Sequence, residues 1–463
     1  MTRSARAGTA GGGVWDIAFV LCRRASVRAS FTSTIQQVIR SRYTAIEMMA
    51  TAAGDQEWKR TLTLMVCVQF TISASNQIST PFLPLFLIQL GVHPLERVEY
   101  WAGAIISVSA LSAAIFSPIW GGIGDRTGRK AMVLRSSVAS SIAMSIMGFC
   151  ATPLELFGVR ALMGAFSGFS VAAMALVATQ VPEERLGYSL GWLSTGQIAG
   201  SLIGPLIGGL LADHIHDYRT VFFVSAFGTG VIATSCATLV HEQRGQPPVA
   251  VERVRASIWK QFAGIARHRD LAPMLVVIML AQICSIGVQP ILPLFVAHLV
   301  GNVPWRATLT GGAVAATGIA GLLSAPFLGR RSDLIGYRRV LLISLTGAAL
   351  FTIPQAFARN IWMLLGLRFG LGVFLGGILP SANATIGRIA KPEERGQVYG
   401  FTSTAQFLGR FIGPLLGSLV AAHFGFSAVF VLIGMLMFSN LLWVWANVRS
   451  LLTPEQEKGR RVF

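Results

Sequence analysis

The chain has 463 residues, of which 53% are hydrophobic and 13% charged, about half the charged share of a soluble protein. Its apolar residues come in blocks about twenty long, the length a helix needs to cross a hydrocarbon core of roughly 30 Å, so a water-soluble globule is excluded and a polytopic membrane protein is implied. The formal charge of +18 sits mostly in short segments between these blocks and in the tails, the pattern of cytoplasmic loops, which excludes a nucleic-acid-binding reading.

Residues 1–57 differ from the rest. Met1 to Glu47 carries seven Arg with only Asp16 and Glu47 as acids, and its best apolar run, VWDIAFVLC, is broken by Asp16 and too short to span. Two readings stand: an Arg-rich organellar presequence, or upstream sequence ahead of a true start at Met48 or Met49. The second is preferred because DQEWKR already supplies a cytoplasmic lead into the first span.

From Thr61 onward the hydropathy predicts twelve spans, at 61–90, 100–120, 131–151, 155–180, 188–212, 219–240, 271–299, 307–329, 338–356, 360–387, 397–422 and 426–447. The segments between them sort by charge. GDRTGRKAMVLR, the stretch 241–270, GRRSDLIGYRR, GRIAKPEER and the C-terminal tail are basic or densely charged and fall on one side, so both termini are expected in the cytoplasm. The central stretch places Val254, Ile258, Phe262 and Ile265 on one helical face; it reads either as a helix lying on the membrane surface or as a plain charged linker.

The two groups of six spans repeat. PFLPLF from Pro81 returns as PILPLF from Pro290 at an offset of 209; Gly121 and Asp125 return as Gly329 and Asp333 at 208, and Arg160, Gly164 and Gly168 as Arg368, Gly372 and Gly376 at 208. Gly191, Gly200, Gly204, Pro205 and Gly208 return as Gly400, Gly409, Gly413, Pro414 and Gly417 at 209. Four motifs in register define a duplicated unit, as expected of a carrier whose halves rock about a central site. The expected fold is all-α, with twelve transmembrane helices in two pseudo-symmetric six-helix bundles. Its parts are a cytoplasmic tail 1–57, bundles 58–240 and 271–449, a cytoplasmic linker 241–270 and a tail 450–463.

With these motifs the chain from about Trp58 to Arg449 resembles the major facilitator superfamily. GGIGDRTGRK resembles its signature between helices 2 and 3. The spacing Gly191, Gly200, Gly204, Pro205, Gly208, Gly209 resembles the antiporter signature of helix 5, which marks the drug:proton branch, and WKR, TPFLPLF and LVATQVP resemble bacterial multidrug efflux carriers of that branch. The resemblance implies a proton-driven exporter of small amphipathic molecules in the bacterial inner membrane, with protons, a small-molecule substrate and the lipid bilayer as partners. A monomer without cofactor or metal is expected.

Gly200, Gly204 and Gly208 recur every four residues and form a groove for a neighbouring helix, since helices in lipid associate through close packing at small residues; Pro205 removes an internal hydrogen bond. Gly121, Asp125, Arg126, Gly128, Arg129 and Lys130, with Asp333 in the degenerate copy, are the switch candidates. A carboxylate there can pair with a guanidinium or with the N-terminus of a helix from the other half, and the resemblance implies a latch favouring the outward-facing form. Arg160 and its mate Arg368 lie inside spans, where a charge needs a cavity or a partner.

Helices 1, 4, 7 and 10 line the cavity in the family. Asn76, Gln77, Gln282, Gln289 and Asn383 are its polar candidates here, beside the repeat pair Gln197 and Gln406 and the apolar Phe70, Phe82, Phe86, Met174 and Phe374. No acid lies near the middle of an expected span, so coupling is assigned to Asp125, Arg160 and the helix 5 signature. Two rivals remain open: an uptake carrier or uniporter of the same fold, and a membrane-bound enzyme or sensor. Catalysis is not expected, because the seven His are scattered, no Gly-rich phosphate loop follows a strand, and Cys22, Cys67, Cys150, Cys236 and Cys284 lack metal-ligand spacing.

Overall fold

The computed structural model describes residues 58–182, 185–215, 217–239, 271–301, 303–389 and 395–448. From Leu62 onward the described residues form one compact unit. The expectations for 1–57, the linker 241–270 and the tail 450–463 lie outside the described residues.

Twelve helical spans are described. The first, α1, runs 58–79, tightens into a 3-10 turn at Thr80–Phe82 and resumes at Leu83–Gln89. It is followed by α2 (Leu95–Thr127), α3 (Arg129–Phe149), α4 (Pro153–Ala165 and Phe169–Gln180), α5 (Leu186–Ile215) and α6 (Tyr218–Leu239). The second half holds α7 (Leu271–Gly287 and Leu292–Val300), α8 (Arg306–Ile335), α9 (Tyr337–Thr352, ending in the 3-10 turn Ile353–Phe357), α10 (Ile361–Ile389), α11 (Arg395–Phe424) and α12 (Phe426–Asn447). Eleven spans are long and apolar enough to cross a membrane, and the one left out is α1, whose first part is diluted by Gln69, Ser73, Ser75, Asn76 and Gln77.

Three spans expected as continuous helices are broken, each for a local reason. Pro81 and Pro84 withhold two N–H donors from α1, and Pro290 and Pro293 do the same in α7. In α4 the break falls at Gly168, whose φ of 114° is open to glycine and strained for other residues. A different correction applies to α2, which begins at Leu95 rather than at 100 and runs for 33 residues. That length, about 50 Å, exceeds the hydrocarbon core, so one end carries GGIGDRT out of the bilayer while the other draws Glu96 and Glu99 into the helix.

The end where α1 stops and α2 begins is here called distal; the end where α2 stops and α3 begins is proximal. Two seams join the halves, α5 against α8 and α2 against α11. On the first, a Cβ placed on Gly209 would stand 2.5 Å from the Ala307 carbonyl oxygen, and one on Gly311 would overlap the Pro205 carbonyl. Across the second, a Cβ on Gly103 would meet the Pro414 carbonyl at 2.9 Å. These contacts belong to the distal part. There, Val98, Ala102 and Ile105 of α2, Phe82 and Phe86 of α1, Leu294 of α7 and Ala307 of α8 share one buried core. Toward the proximal end, Gly187, Gly191, Gly329 and Gly400 face open space. The halves are therefore closed together distally, while these proximal glycines stand clear of any neighbour.

Candidate functional site

The helix 5 signature is a set of seats for backbone. Gly196, Gly200, Gly204 and Gly208 lie over the carbonyl oxygens of Val66, Phe70, Ala74 and Ile78, each closer than 3.0 Å to where a Cβ would sit. On α11, Gly409, Gly413 and Gly417 repeat this against the carbonyls of Met279, Ile283 and Gly287 of α7, again inside 3.0 Å. In all seven pairs the partners are 130 residues apart, so the duplication preserves the helix register as well as the motif. Such approach needs glycine because the helices meet at the radius of their backbones. Gly209 and Pro205 face α8 instead, and Gly191 meets nothing within 4 Å.

Around the first signature loop, Gly128 (φ 99°, ψ 156°) joins α2 to α3, and its mate Gly336 (φ 97°, ψ 141°) joins α8 to α9. Lys130 Nζ donates to the Ala237 carbonyl at 2.8 Å and Arg338 donates to the Trp445 carbonyl at 2.7 Å. Donors and acceptors are both 208 apart, so each half fastens this loop to the C-terminal end of its own sixth helix, where carbonyls lack partners and the dipole favours a cation. Asp333 accepts the Tyr337 hydroxyl at 2.6 Å. Gly121, Asp125 and Arg126 fall in the helical end of α2, but their side chains lie outside the described residues; Arg129 opens α3.

Arg160 is 6% exposed and its Nη2 donates to Thr80 Oγ1 at 3.1 Å, while the Thr80 hydroxyl donates to the Asn76 carbonyl at 2.6 Å. The cation thus holds the 3-10 break of α1. Arg368 is 8% exposed, and its Nε and one Nη have no hydrogen-bond partner among the described residues.

The polar cavity candidates separate. The Cβ of Gln77 packs beside Gly204 and that of Gln282 beside Gly409, placing both stems in the glycine grooves, and Gln282 is buried. Asn76, Gln289 and Asn383 are half-buried, and Asn383 Oδ1 has no hydrogen-bond partner among the described residues. Gln197 and Gln406 are half-buried on α5 and α11. The aromatic expectation needs correcting: Phe82 and Phe86 are core side chains. Phe82 closes on Gly208, and Phe86 tilts against Phe222 with centroids 5.1 Å apart. Phe374 stacks on Phe351 of α9 at 5.8 Å, whereas Phe70 is half-buried and Met174 exposed.

Three residues gain a role that the sequence pattern does not single out. Asp213, an acid at the outer end of α5, accepts the N–H groups of Ala307 (2.9 Å) and Thr308 (2.6 Å) at the N-terminus of α8, joining the halves distally. Glu99, which hydropathy leaves in a loop, is buried in α2. Arg410 is hidden inside the repeated glycine pattern of α11. On that helix, Gly409, Gly413 and Gly417 face α7, Pro414 and Ser418 face α2, and exposed Leu408 and Leu419 point away from both. At about 100° per residue Arg410 falls between the two packed faces, opposite those leucines. It is exposed, on the side of α11 turned toward α7 and α2 and away from those leucines. A charge in mid-span is the signal that could have found it.

The geometry is that of a two-half membrane carrier, and comparison with known proteins agrees. The Major Facilitator Superfamily model matches residues 65–301 and 274–462, and the chain belongs to that family. It is therefore an integral, multi-pass membrane protein that handles a small molecule. Among curated relatives it is similar to the multidrug resistance protein MdtG of Salmonella choleraesuis (strain SC-B67), 36% identical over 392 residues, covering 85% of this chain and 96% of that protein. The MdtG of Escherichia fergusonii is 35% identical over 398 residues, 86% of this chain and 97% of that one. Among solved structures, a bacterial homologue of the human lysosomal transporter Spinster, in an inward-facing and occupied conformation, has the same fold: TM-score 0.70, 12% identity, 84% of this chain and 96% of that chain. So has a mutant form of the nucleoside transporter NupG, with TM-score 0.68, 13% identity, 85% and 100% coverage.

Proposed function

We propose that this protein is a multidrug exporter that exchanges protons for small amphipathic compounds by alternating access in the bacterial inner membrane. It acts as a monomer, with both termini and the proximal end in the cytoplasm. Bundles 58–240 and 271–449 are the rocking units, and 241–270 tethers them. Substrate enters the proximal gap, meets Asn76, Gln289, Asn383 and Arg410, and leaves distally once the Asp213 contact opens. When the proximal ends come together, Asp125 and Arg129 form the opposing latch beside Gly121, Arg126, Gly128 and Lys130, with Asp333 in the matching place of the second half, while Arg160 and Arg368 occupy matching places within α4 and α10. The glycine seats on α5 and α11 keep the bundles sealed as they turn.

The observation that carries this reading is the pair of seams packed at the distal end, with a carboxylate of one half bonded to a helix N-terminus of the other. Such a contact is present in one state and lost in its opposite, which is what a switch requires. The names of the relatives supply the substrate class. Everted membrane vesicles carrying the protein test it with a panel of dyes and antibiotics, with and without a proton gradient. Uptake into the vesicles that collapses with the gradient is expected. Movement only in the opposite sense marks an uptake carrier and removes the proposal.

A further inference from the structure

Proton exchange requires a group that binds a proton in one state and releases it in the other. The spans expected from hydropathy hold no acid near their centres. The helix that begins at Leu95 changes this, because it takes in Glu99, whose side chain is 3% exposed. Its neighbours on α2 meet the other half. The Tyr100 hydroxyl is 3.2 Å from the His423 ring of α11, and Gly103 has no room for a Cβ against Ser418.

Glu99 lies one turn from Gly103, rotated about 40° toward the face that carries Ser109 against Gly164 of α4. It therefore points between α11 and α4, at the distal end where Val98, Ala102, Leu294 and Ala307 share a buried core. The ionisable groups on the elements around it are otherwise engaged or set apart. Glu155 closes the N-terminal capping box of α4, Arg160 holds Thr80, Asp213 holds α8, and His423 meets the Leu419 carbonyl and Tyr100. Glu96 and Arg97 precede it on α2, His298 and Arg306 belong to α7 and α8, and Arg410 lies more than two turns further along α11. Among the described residues, no hydrogen-bond donor or cation pairs with the Glu99 carboxyl.

A carboxylate taken from water without a counter-ion or donors is strongly disfavoured, whereas the neutral acid is tolerated. We propose that Glu99 is the proton-carrying carboxyl of the exchange, a proposal that rests on the proton-coupled reading above. With the distal seam open, the carboxylate takes a proton from hydronium and leaves water, and the seam closes over the acid. With the gap open proximally, the acid returns that proton to water on the proximal side. The carboxylate left behind fits the closed seam poorly, so the substrate-loaded protein reopens distally. One proton moves inward as one substrate moves outward.

The test uses full-length protein in liposomes oriented with the proximal end outward, comparing the wild type with Glu99→Gln, Glu99→Asp and, as neighbouring control, Glu96→Gln. Substrate uptake driven by an acid interior is measured beside gradient-independent counterflow. Glu99→Gln is expected to lose gradient-driven uptake by about tenfold or more while retaining counterflow, which shows that it folds. Glu99→Asp retains the driven uptake with a displaced pH midpoint, and Glu96→Gln, which removes a neighbouring negative charge but not the carrier, keeps the driven uptake. Undiminished gradient-driven uptake in Glu99→Gln, or an unmoved midpoint in Glu99→Asp, overturns the assignment; the second reading holds even if the glutamine variant does not insert. A wild type indifferent to the gradient overturns the proton-coupled function itself, a different outcome.

Discussion

Thr308 of the second half donates its backbone N–H to the carboxylate of Asp213 in the first, at 2.6 Å, and Ala307 donates to the other oxygen at 2.9 Å. Hydrogen bonds to a charged group contribute about 1.5–3 kcal/mol each, and here both also align with the positive end of the α8 dipole. Asp213→Ala removes them from the distally closed state alone. Distal opening is expected to become about tenfold or more frequent. A cysteine at Ala307, 1% exposed in the closed seam, reports it: a membrane-impermeant maleimide applied from the distal side should label it faster in the Asp213→Ala background. Equal rates would mean that the contact does not hold the seam.

Glycines of one signature should not respond alike. Gly208→Ala forces a methyl closer than 3.0 Å to the Ile78 carbonyl, a backbone atom that cannot turn aside, and Gly417→Ala does the same at the Gly287 carbonyl. Overpacking of this kind costs about 1–3 kcal/mol. Both variants are expected to melt several degrees lower in detergent and to transport poorly. Gly191→Ala, which meets nothing within 4 Å, should melt as the wild type does. A lower melting temperature for Gly191→Ala than for Gly208→Ala would refute the packing account of the motif.

The same contrast separates what a linear pattern carries from what packing adds. Apolar blocks and a 208–209 residue repeat are properties of the chain itself, so the spans and the two-half plan are legible in the residues alone. Gly200, Gly204 and Gly208 announce a groove through their spacing, but nothing in the spacing names α1 as its occupant or excuses Gly191. Phe82 and Phe86 read as pocket residues because hydropathy does not say which face of a span meets a ligand. Glu99 reads as a loop residue and Asp213 as a span-end acid because their roles depend on residues far along the chain: Ser418 and His423 near the first, Ala307 and Thr308 at the second. Arg410 is legible in principle as a charge in mid-span. Its significance depends on the faces occupied by Gly409 and Pro414, which only packing reveals.

Arg410 yields a prediction about substrate charge. It is an exposed guanidinium on the side of α11 turned toward α7 and α2, without a hydrogen-bond partner among the described residues, and its repeat mate in α5 is the neutral Ser201. An asymmetric cation in a partly apolar space attracts acidic groups and repels basic ones. Arg410→Gln should reduce efflux of acidic amphiphiles severalfold and leave basic dyes unchanged or faster. Transport assays with matched acidic and basic dyes decide this, and an equal loss for both would assign Arg410 to folding or to closure.

Arg160 and Thr80 bear on whether the break in α1 matters. The 3.1 Å bond ties α4 to the one turn of α1 where two prolines have removed backbone donors, and the Thr80 hydroxyl passes the connection to the Asn76 carbonyl. Removing one partner leaves the other buried and unsatisfied, at a cost of about 1–3 kcal/mol. Arg160→Ala is therefore expected to lower thermal stability and to abolish most transport, because α1 and α4 would no longer be fixed at the level where the halves meet. Thr80→Val should cost less in stability, since Arg160 keeps its charge and can draw in water, yet it should impair transport in the same assay. Thr80→Ser restores the hydroxyl and should recover both. If Thr80→Val transports as well as the wild type while Arg160→Ala does not, the arginine acts through some group other than the break in α1.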